Sequence, residues 1–351
     1  MAKIKLLIVD DSATVRTLIK KLLSKESSIE VVGSAENGKE AIKKITELRP
    51  DIVTMDIEMP FMDGFNTIKY IMKEDPVPIL VIARSAFSKG EDFIFKAIEL
   101  GALEILEKPD LSDWSKLDNF RKILIREIKK LAKSGSAPVS LVESDSEASE
   151  KKPVDVKSEL DESCKAYVGV AASTGAPGIL KKILATLPGN FPGCIFVVQH
   201  ISSGFTKDFI RWLDAESELS VVEAQAGERI REHTVYVAQE DKHLTVNKLK
   251  RIELTEGPKN NGFRPSGNVL FESLGRVFGK KSIGVILSGM GQDGVDGLGV
   301  IKKSGGKVIA QDPEHCVLKT MPSRAVKAGV VDKIAHPDKI AAEIIKFAGG
   351  K

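Results

Sequence analysis

The sequence has little cysteine and no long hydrophobic run. Its 351 residues include three cysteines, whose positions share no metal-ligand spacing. They are Cys164, Cys194 and Cys316. An odd number suits a reducing compartment better than a disulfide framework. No stretch approaches the roughly 18 apolar residues of a membrane span, and the apolar run near the amino terminus is too short for a secretion signal. We therefore expect a cytoplasmic protein without direct membrane insertion.

An excess of charge of either sign is also missing. The chain carries 52 lysine and arginine residues against 49 aspartate and glutamate residues, a formal net charge of +3. So small a charge indicates neither nucleic acid nor an anionic membrane as a partner. The hydrophobic fraction of 42% and the 29% of charged residues are typical of globular proteins, and the length favours about two domains.

Aromatic residues are absent between Phe120 and Tyr167, and residues 134–164 are polar and rich in serine and acidic residues. Such a segment cannot bury enough apolar area to offset the entropy of ordering it. We interpret it as a flexible linker between two domains, residues 1–133 and 165–351.

Residues 1–133 alternate short β-rich runs with amphipathic helical stretches. Five runs that each feed a helix predict a flavodoxin-like domain, with a parallel sheet covered on both faces. Asp10 and Asp11 close the first predicted strand, and Asp56 closes the third. Since parallel strands end at one sheet edge, these carboxylates should meet there and favour Mg²⁺. One of them could attack a phosphodonor, with Lys108 after the fifth strand neutralising phosphoryl oxygens.

Residues 165–351 resume the alternation and predict a doubly wound α/β domain with a mostly parallel sheet. The segment from about residue 219 to 256 alternates like β-ribbon, and we expect an antiparallel excursion there. Its two histidines, His233 and His243, are expected at the surface because charged residues stand beside them.

Ser173 lies where the apolar run AYVGVAA gives way to a glycine turn. A serine at such a junction projects its hydroxyl at the carboxyl edge of a sheet, where it could be a nucleophile. The alternative is that Ser173 only caps a helix beginning near Thr174, and this stretch alone leaves both interpretations open.

His200 ends the next apolar run, and Asp293 follows a later one within a glycine turn. Together with Ser173 they are the elements of a hydrolytic triad. In such a triad the imidazole accepts the proton of the serine, and the carboxylate holds the tautomer of the imidazole. Amide groups near Thr174 or in the turn 289–291 could contact an oxyanion.

Three motifs of the first domain, LLIVDDS, VTMDIEMPFMDG and LEKP, resemble the receiver domain of two-component response regulators. The resemblance implies that Asp56 is the phosphoacceptor and that Lys108 contacts the phosphate. It also implies a Mg²⁺ site formed by Asp10 and Asp11 together with Asp56.

One position departs from the receiver pattern. Receivers usually carry serine or threonine at the end of the fourth strand, where this chain has Ala83. A hydroxyl-based switch is therefore missing or has moved to Ser85.

The second domain looks like the catalytic domain of the chemotaxis protein-glutamate methylesterases, whose architecture is also receiver, linker and esterase. The motifs are AASTGAP, FVVQHISSGFT, FRPSGNVLFES, LSGMGQDG and IAQDPEHCVLKTMPSRAVKAGVVD. The resemblance implies that Ser173, His200 and Asp293 form the triad. It implies further that the positions of Thr174 and Met290 border the oxyanion site.

The same resemblance implies a substrate and partners. The enzyme would hydrolyse glutamate methyl esters on the cytoplasmic helices of chemoreceptors, often deamidating glutamines as well, and a chemotaxis histidine kinase would be its phosphodonor. No metal or organic cofactor is needed in the esterase domain. Arg264 is a candidate for guiding an acidic receptor helix, although a surface arginine in a loop is the simpler interpretation.

Several positions of the second domain depart from the family pattern, and two prolines are common after His200, where this chain has Ile201, Ser202 and Ser203. Glycine is usual where this chain has Ala171 and Ala176, and aspartate is usual at Asn268. Alanine narrows the backbone angles beside Ser173, and asparagine supplies no charge, so substrate fit or rate could differ.

Two hypotheses on function follow. The first is a phosphorylation-regulated esterase of chemotaxis adaptation, in which the unphosphorylated receiver inhibits the catalytic domain. The second is a phosphorylation-controlled binding protein of the same fold with weak catalysis. The complete set of triad residues favours the enzyme.

Overall fold

The computed structural model describes residues 2–84, 94–109, 113–134 and 164–349. It divides into two compact units, one N-terminal and one C-terminal. Apart from its two end residues, the predicted linker 134–164 lies outside the described residues, and so does Ser85. None of the described helices is both long and apolar enough to span a bilayer.

The N-terminal unit alternates strands and helices, as its sequence predicts. Its elements are β1 (Ile4–Val9), α1 (Ala13–Leu23), β2 (Ile29–Ala35), α2 (Gly38–Leu48), β3 (Ile52–Met55), α3 (Gly64–Glu74), β4 (Ile79–Ala83), α4 (Lys96–Glu99), β5 (Glu104–Glu107) and α5 (Trp114–Leu131). Among the described residues the strands form one parallel sheet in the order β2-β1-β3-β4-β5, the order of a flavodoxin-like fold.

Local sequence explains where these helices begin. The side chains of Ser12, Asn37 and Asp63 each accept a hydrogen bond from a backbone amide in the first turn of α1, α2 and α3. The central strands β3 and β4 are buried along their whole length, because helices cover both faces of a parallel sheet.

The C-terminal unit is larger. Its strands are β6 (Ala166–Ala172), β7 (Gly193–Gln199), β8 (Ser220–Glu223), β9 (Thr234–Val237), β10 (His243–Val246), β11 (Ile252–Thr255), β12 (Ser282–Ile286), β13 (Lys307–Gln311) and β14 (Lys333–Ala335). Its helices are α6 (Pro177–Thr186), α7 (Thr206–Asp214), α8 (Gly267–Phe278), α9 (Val295–Lys303), α10 (Thr320–Lys327) and α11 (Ile340–Phe347).

Seven of these strands form a parallel sheet in the order β14-β13-β12-β6-β7-β9-β8. The mostly parallel α/β fold expected for this unit is therefore confirmed. The antiparallel excursion is smaller than expected, because among the described strands of this segment β10 and β11 pair antiparallel, whereas β8 and β9 join the parallel sheet. A period of two in hydrophobicity identifies a strand but not the direction of its partner.

The three strands at the centre of this sheet position the candidate site. β6 pairs with β12 on one side and with β7 on the other, so the segments that leave these three strands emerge side by side. α8 packs across β6, where Gly169 leaves no space for a methyl group beside Phe271 and Leu274. The strands end at the edge where open α/β sheets bind ligands.

Candidate active site

Ser173 is the first residue after β6. Its amide donates to the carbonyl of Ser288 over 3.1 Å, and its carbonyl accepts the amide of Ala176 over 3.1 Å. α6 begins only at Pro177, and its N-cap Ala176 makes no side-chain hydrogen bond. The alternative that Ser173 caps this helix is therefore wrong. Ser173 lies at the carboxyl end of β6, in a turn and not in a helix.

His200 stands beside Ser173. The last register pair of β6 and β7 is Ala172 with Gln199, so Ser173 and His200 are the residues that directly follow the two strands. The amide of His200 still donates to the carbonyl of Ala172 over 2.9 Å. Since neighbouring strands lie about 4.8 Å apart, this register supports contact between the two side chains.

Asp293 reaches the imidazole from the turn after β12. His200 Nε2 lies 2.9 Å from Asp293 Oδ2, and the carboxylate is fully buried. When the hydrogen of the ring is on Nε2 and is donated to Asp293, the lone pair is on Nδ1. That atom is buried and has no hydrogen-bond partner among the described residues. The Ser173 hydroxyl therefore does not hydrogen-bond to Nδ1 in this structure, and the nitrogen is left without a donor, as a general base that is to accept the serine proton must be.

The start of α8 holds the Asp293 carboxylate. Ser266 Oγ donates to Oδ1 over 2.6 Å, the amide of Gly267 donates to Oδ2 over 2.7 Å, and the amide of Asn268 donates to Oδ1 over 3.2 Å. Burial alone would raise the pKa of Asp293, but the bond to His200 and those from Ser266 and Gly267 lower it below its usual value. The positive end of the α8 dipole acts in the same direction. Asp293 is thus held ionised.

Phe263 lies flat against the imidazole. Its ring and that of His200 are 4.0 Å apart between centroids and 5° from parallel. Such a stack restricts rotation of the imidazole about χ2. Sequence reasoning missed both Phe263 and Ser266. The motif FRPSG contains them, but nothing in its spacing points to residues 200 or 293.

The predicted oxyanion residues lie in the two loops beside Ser173. Thr174 follows it directly and is buried, and its carbonyl accepts the Ser288 hydroxyl over 2.9 Å. Met290 is 46% exposed. It follows Gly289, where a methyl group added at Cα would lie 2.8 Å from Ser173 Cβ. Both loops therefore pass close to the nucleophile, and the oxyanion role of their amides stays a prediction.

The departures from the family pattern have local explanations. Ala171 lies inside β6, and Ala176 has an ordinary helical φ of −98°, so neither position requires glycine. The backbone beside Ser173 is therefore not strained by either alanine, and an effect on substrate fit or rate stays a prediction. Asn268 Oδ1 accepts the amide of Gly297, near the start of α9, and its Nδ2 donates to Asn260. A neutral side chain therefore satisfies this position without a second charge beside Asp293.

Arg264 is occupied within the protein. It donates through Nε and Nη2 to both carboxylate oxygens of Asp241, and through Nη1 to the carbonyls of Glu256 and Gly257. These bonds tie the loop that carries Phe263 to the start and end of the β10–β11 hairpin. A structural role therefore explains Arg264 without a receptor helix.

The surface placement expected for His243 is wrong. Its side chain is buried, with 3% of the residue exposed, and its Nε2 lies 3.0 Å from the carbonyl of Pro258. β10 packs against α8, which removes its first residue from solvent despite the charged residues that precede it. His233 is half-buried beside Glu232.

The N-terminal unit brings its predicted site residues together. One carboxylate oxygen each of Asp10, Asp11 and Asp56 lie within 4.8 Å of one another. Lys108 Nζ donates to Asp56 Oδ2 over 2.6 Å and lies 3.0 Å from Asp10 Oδ2. Ala83 ends β4 and offers no hydroxyl, while Ser85 is beyond the described residues.

These carboxylates fit a hard divalent cation. Burial, with a contribution from Asp10, raises the pKa of Asp56 to about 6 against the opposing effect of Lys108. A single ammonium therefore does not compensate the clustered negative charge, and oxygen ligands of this kind are those that Mg²⁺ prefers. The ion would supply positive charge to the phosphoryl oxygens, while Lys108 holds the Asp56 carboxylate in place.

We expect the stability of the N-terminal unit, in Mg²⁺-free buffer, to rise as pH falls from about 7 to about 4. With a pKa of about 6 in the fold against an ordinary 3.8, folded Asp56 takes up a proton that the unfolded chain does not hold in this window. The difference corresponds to roughly 3 kcal/mol. Saturating Mg²⁺ should abolish the rise, because it keeps Asp56 ionised.

The measurement is thermal unfolding of the full chain in chelator and in Mg²⁺ across this pH range. An Asp56→Asn variant, which lacks the titrating group, is the control. Identical pH dependence of the two proteins in chelator would contradict the expectation.

Two family models match the chain. The CheB methylesterase model matches residues 168–344, and the response regulator receiver domain model matches residues 6–116. A protein-glutamate methylesterase/protein-glutamine glutaminase of Syntrophus aciditrophicus is 39% identical, with 99% of each chain covered. A protein of the same name from Methanosarcina acetivorans is 36% identical, again with 99% of each chain covered.

A solved structure supports the fold of the C-terminal unit. The crystal structure of the Thermotoga maritima CheB methylesterase catalytic domain is 38% identical to this chain. The match covers 52% of this chain and 97% of that domain, with a TM-score of 0.51.

Proposed function

Because the chain belongs to the CheB methylesterase family and carries a response regulator receiver domain, we propose that Ser173, His200 and Asp293 hydrolyse glutamate methyl esters on chemoreceptors. The chain is a methylesterase whose activity phosphorylation regulates. The observation that carries the assignment of the site is the 2.9 Å distance from His200 Nε2 to Oδ2 of the buried Asp293. His200 follows β7, the strand that pairs with β6, which Ser173 follows.

The geometry supports a two-step acyl transfer. His200 Nδ1 accepts the proton of Ser173 Oγ as that oxygen bonds to the ester carbonyl carbon. Nδ1–H then protonates the methoxy oxygen, the carbonyl carbon–methoxy bond breaks, and methanol leaves an acyl-enzyme. Water next gives a proton to Nδ1 and attacks the acyl carbon, which releases the glutamate and returns the proton to Ser173. Asp293 stabilises the imidazolium in both steps.

The tetrahedral intermediates need amide donors. The backbone amides at Thr174 and Met290 are the proposed donors, and one such donor is typically worth about 10²- to 10³-fold in rate. The same steps act on a glutamine side chain, with ammonia in place of methanol as the leaving group. We therefore propose deamidation as a second activity of the same site.

Methanol release from methylated chemoreceptor membranes tests the proposed function. The full chain should release methanol in proportion to the glutamate methyl esters consumed. A serine-directed phosphonate should label Ser173 covalently and stop that release. Absence of both methanol release and labelling would overturn the assignment.

The N-terminal unit is proposed to regulate this site. A chemotaxis histidine kinase would phosphorylate Asp56, with Mg²⁺ bound by Asp10, Asp11 and Asp56 and with Lys108 contacting the phosphate. No cofactor is proposed for the esterase unit, whose steps require only its own side chains and water. We propose a cytoplasmic location, because the kinase and the substrate helices of the receptors would be found there.

A small phosphodonor with Mg²⁺ should raise the methylesterase activity of the full chain, and Asp56→Asn should abolish the response. The expected stimulation is about 5- to 150-fold, the usual range of coupling between two sites. The segment from residue 165 onward, lacking the receiver, should be active without the phosphodonor. Equal turnover by the full chain with phosphodonor, the full chain without it and this segment would contradict regulation by inhibition.

The binding-protein hypothesis is not favoured. Relatives that match nearly the whole chain carry the names of both hydrolytic activities. The chain also retains every residue of the proposed triad, including the buried Asp293.

A further inference from the structure

Gln199, the last residue of β7, touches the backbone of both proposed catalytic residues. Its Nε2 donates to the carbonyl of Ser173 over 3.0 Å and to the carbonyl of His200 over 3.1 Å. Only 6% of the residue is exposed. Both acceptors are carbonyl oxygens, so the orientation of the amide is fixed, because the flipped amide would place oxygen against oxygen.

The position of this bridge gives it a specific task. The register of β6 and β7 ends at the pair of Ala172 with Gln199, and the two strands then lead into different loops. The side-chain amide of Gln199 binds the carbonyls of Ser173 and His200 at the point where the β6–β7 pairing ends. The carbonyl of Ser173 is thereby held by both Ala176 and Gln199, and its amide is held by Ser288.

The remaining atom of this amide argues against a purely stabilising role. Gln199 Oε1 is buried and has no hydrogen-bond partner among the described residues. A buried polar oxygen without a partner is unfavourable. An apolar side chain of similar length would remove that penalty but would also remove the donor to both carbonyls. The bridge between the two carbonyls is therefore what distinguishes glutamine at this position.

We propose that Gln199 is a positioning residue that sets the separation of Ser173 Oγ from His200 Nδ1. This inference rests on the proposed triad. Proton transfer between these atoms requires a hydrogen bond, and a displacement of about 1 Å at a reacting group typically costs about 100-fold in rate. Gln199 acts through the backbone of these two residues and not on the substrate, so its effect belongs to kcat and not to KM.

The test compares Gln199→Met with Gln239→Met in the full chain. Gln239 lies just beyond β9 and donates to the carbonyl of Ala224, away from both catalytic residues. Gln199→Met is expected to lower kcat about 10- to 100-fold with KM near that of the wild type. The thermal midpoint should fall modestly, because the carbonyl of His200 loses its donor. Labelling of Ser173 by a phosphonate should slow in the same proportion. Gln239→Met should leave all four measurements near wild type.

A second variant supplies a readout that a structural role would not move. Gln199→Glu keeps the shape of the side chain, but its carboxylate donates to neither carbonyl, and its protonated form has one hydrogen to donate to one of them. The ratio of its kcat to that of the wild type should therefore rise as pH falls. This isosteric variant keeps the proposal testable where the methionine variant does not fold.

Wild-type kcat in a folded Gln199→Met protein would overturn the proposal, as would a rise in KM in place of a loss of kcat. A flat ratio for Gln199→Glu across pH would also overturn it. Failure of the proposed function is distinguishable, because the wild type itself would then neither release methanol nor react with the phosphonate.

Discussion

Asp293→Asn is expected to lower kcat about 10⁴-fold. The asparagine amide would present a hydrogen to His200 Nε2, so that nitrogen would have to carry the lone pair and Nδ1 the proton. Nδ1 is the atom that must accept the proton of Ser173. The substitution would therefore remove the general base without removing the imidazole, which remains stacked on Phe263.

The measurement is kcat and KM for methyl-ester hydrolysis, with thermal unfolding beside it. Asp296→Asn is the matched control, because this carboxylate is exposed in the first turn of α9 and has no part in the site. The Asp293→Asn protein should lose some stability, since three donors at the start of α8 face the Asp293 carboxylate. A folded variant that keeps kcat within tenfold of the wild type would exclude the tautomer role of Asp293.

The sequence predicts the triad because all three residues follow apolar runs that become parallel strands. Ser173 and His200 end strands that are consecutive along the chain, and consecutive strands often pair. The place of Asp293 is harder to predict, because β12 pairs with β6 across more than a hundred intervening residues. Its motif indicates a functional turn, but only the strand order brings that turn to the imidazole.

The supporting residues escape sequence reasoning for a physical reason. Ser266 and Phe263 act through contacts with residues 293 and 200, and neither lies on a strand or at a regular spacing from its partner. Arg264, between them, is more conspicuous in the sequence, yet its charge is used inside the protein by Asp241. The charge of a residue alone does not distinguish one that contacts substrate from one that stabilises a loop.

The N-terminal unit is the more predictable half. Its strands alternate regularly with helices, and Asp10 and Asp56 follow the paired strands β1 and β3. The departure at Ala83 is visible in the sequence and is confirmed at the end of β4. The prediction that β8 and β9 pair antiparallel is wrong because each strand has four residues, and so short a pattern does not show the direction of the partner strand.

Ser173→Ala and His200→Ala are each expected to lower kcat about 10⁶-fold, and the double variant should be no less active than either. The two side chains contribute to catalysis through one shared proton transfer. Once either side chain is removed this transfer is lost, so removing the other side chain causes no further loss of rate. Residual turnover would come from amide contacts to the intermediate and from substrate binding.

A radiolabelled methyl group on the receptor substrate gives the sensitivity that such low turnover requires. Ser304→Ala, just beyond the far end of α9, is the control and should retain wild-type activity. If the two single effects multiplied in the double variant, Ser173 and His200 would act independently, and the contact inferred from the register of β6 and β7 would be absent. Equal residual rates would instead establish that the two strand ends form one catalytic unit, because only a shared step makes the second substitution silent.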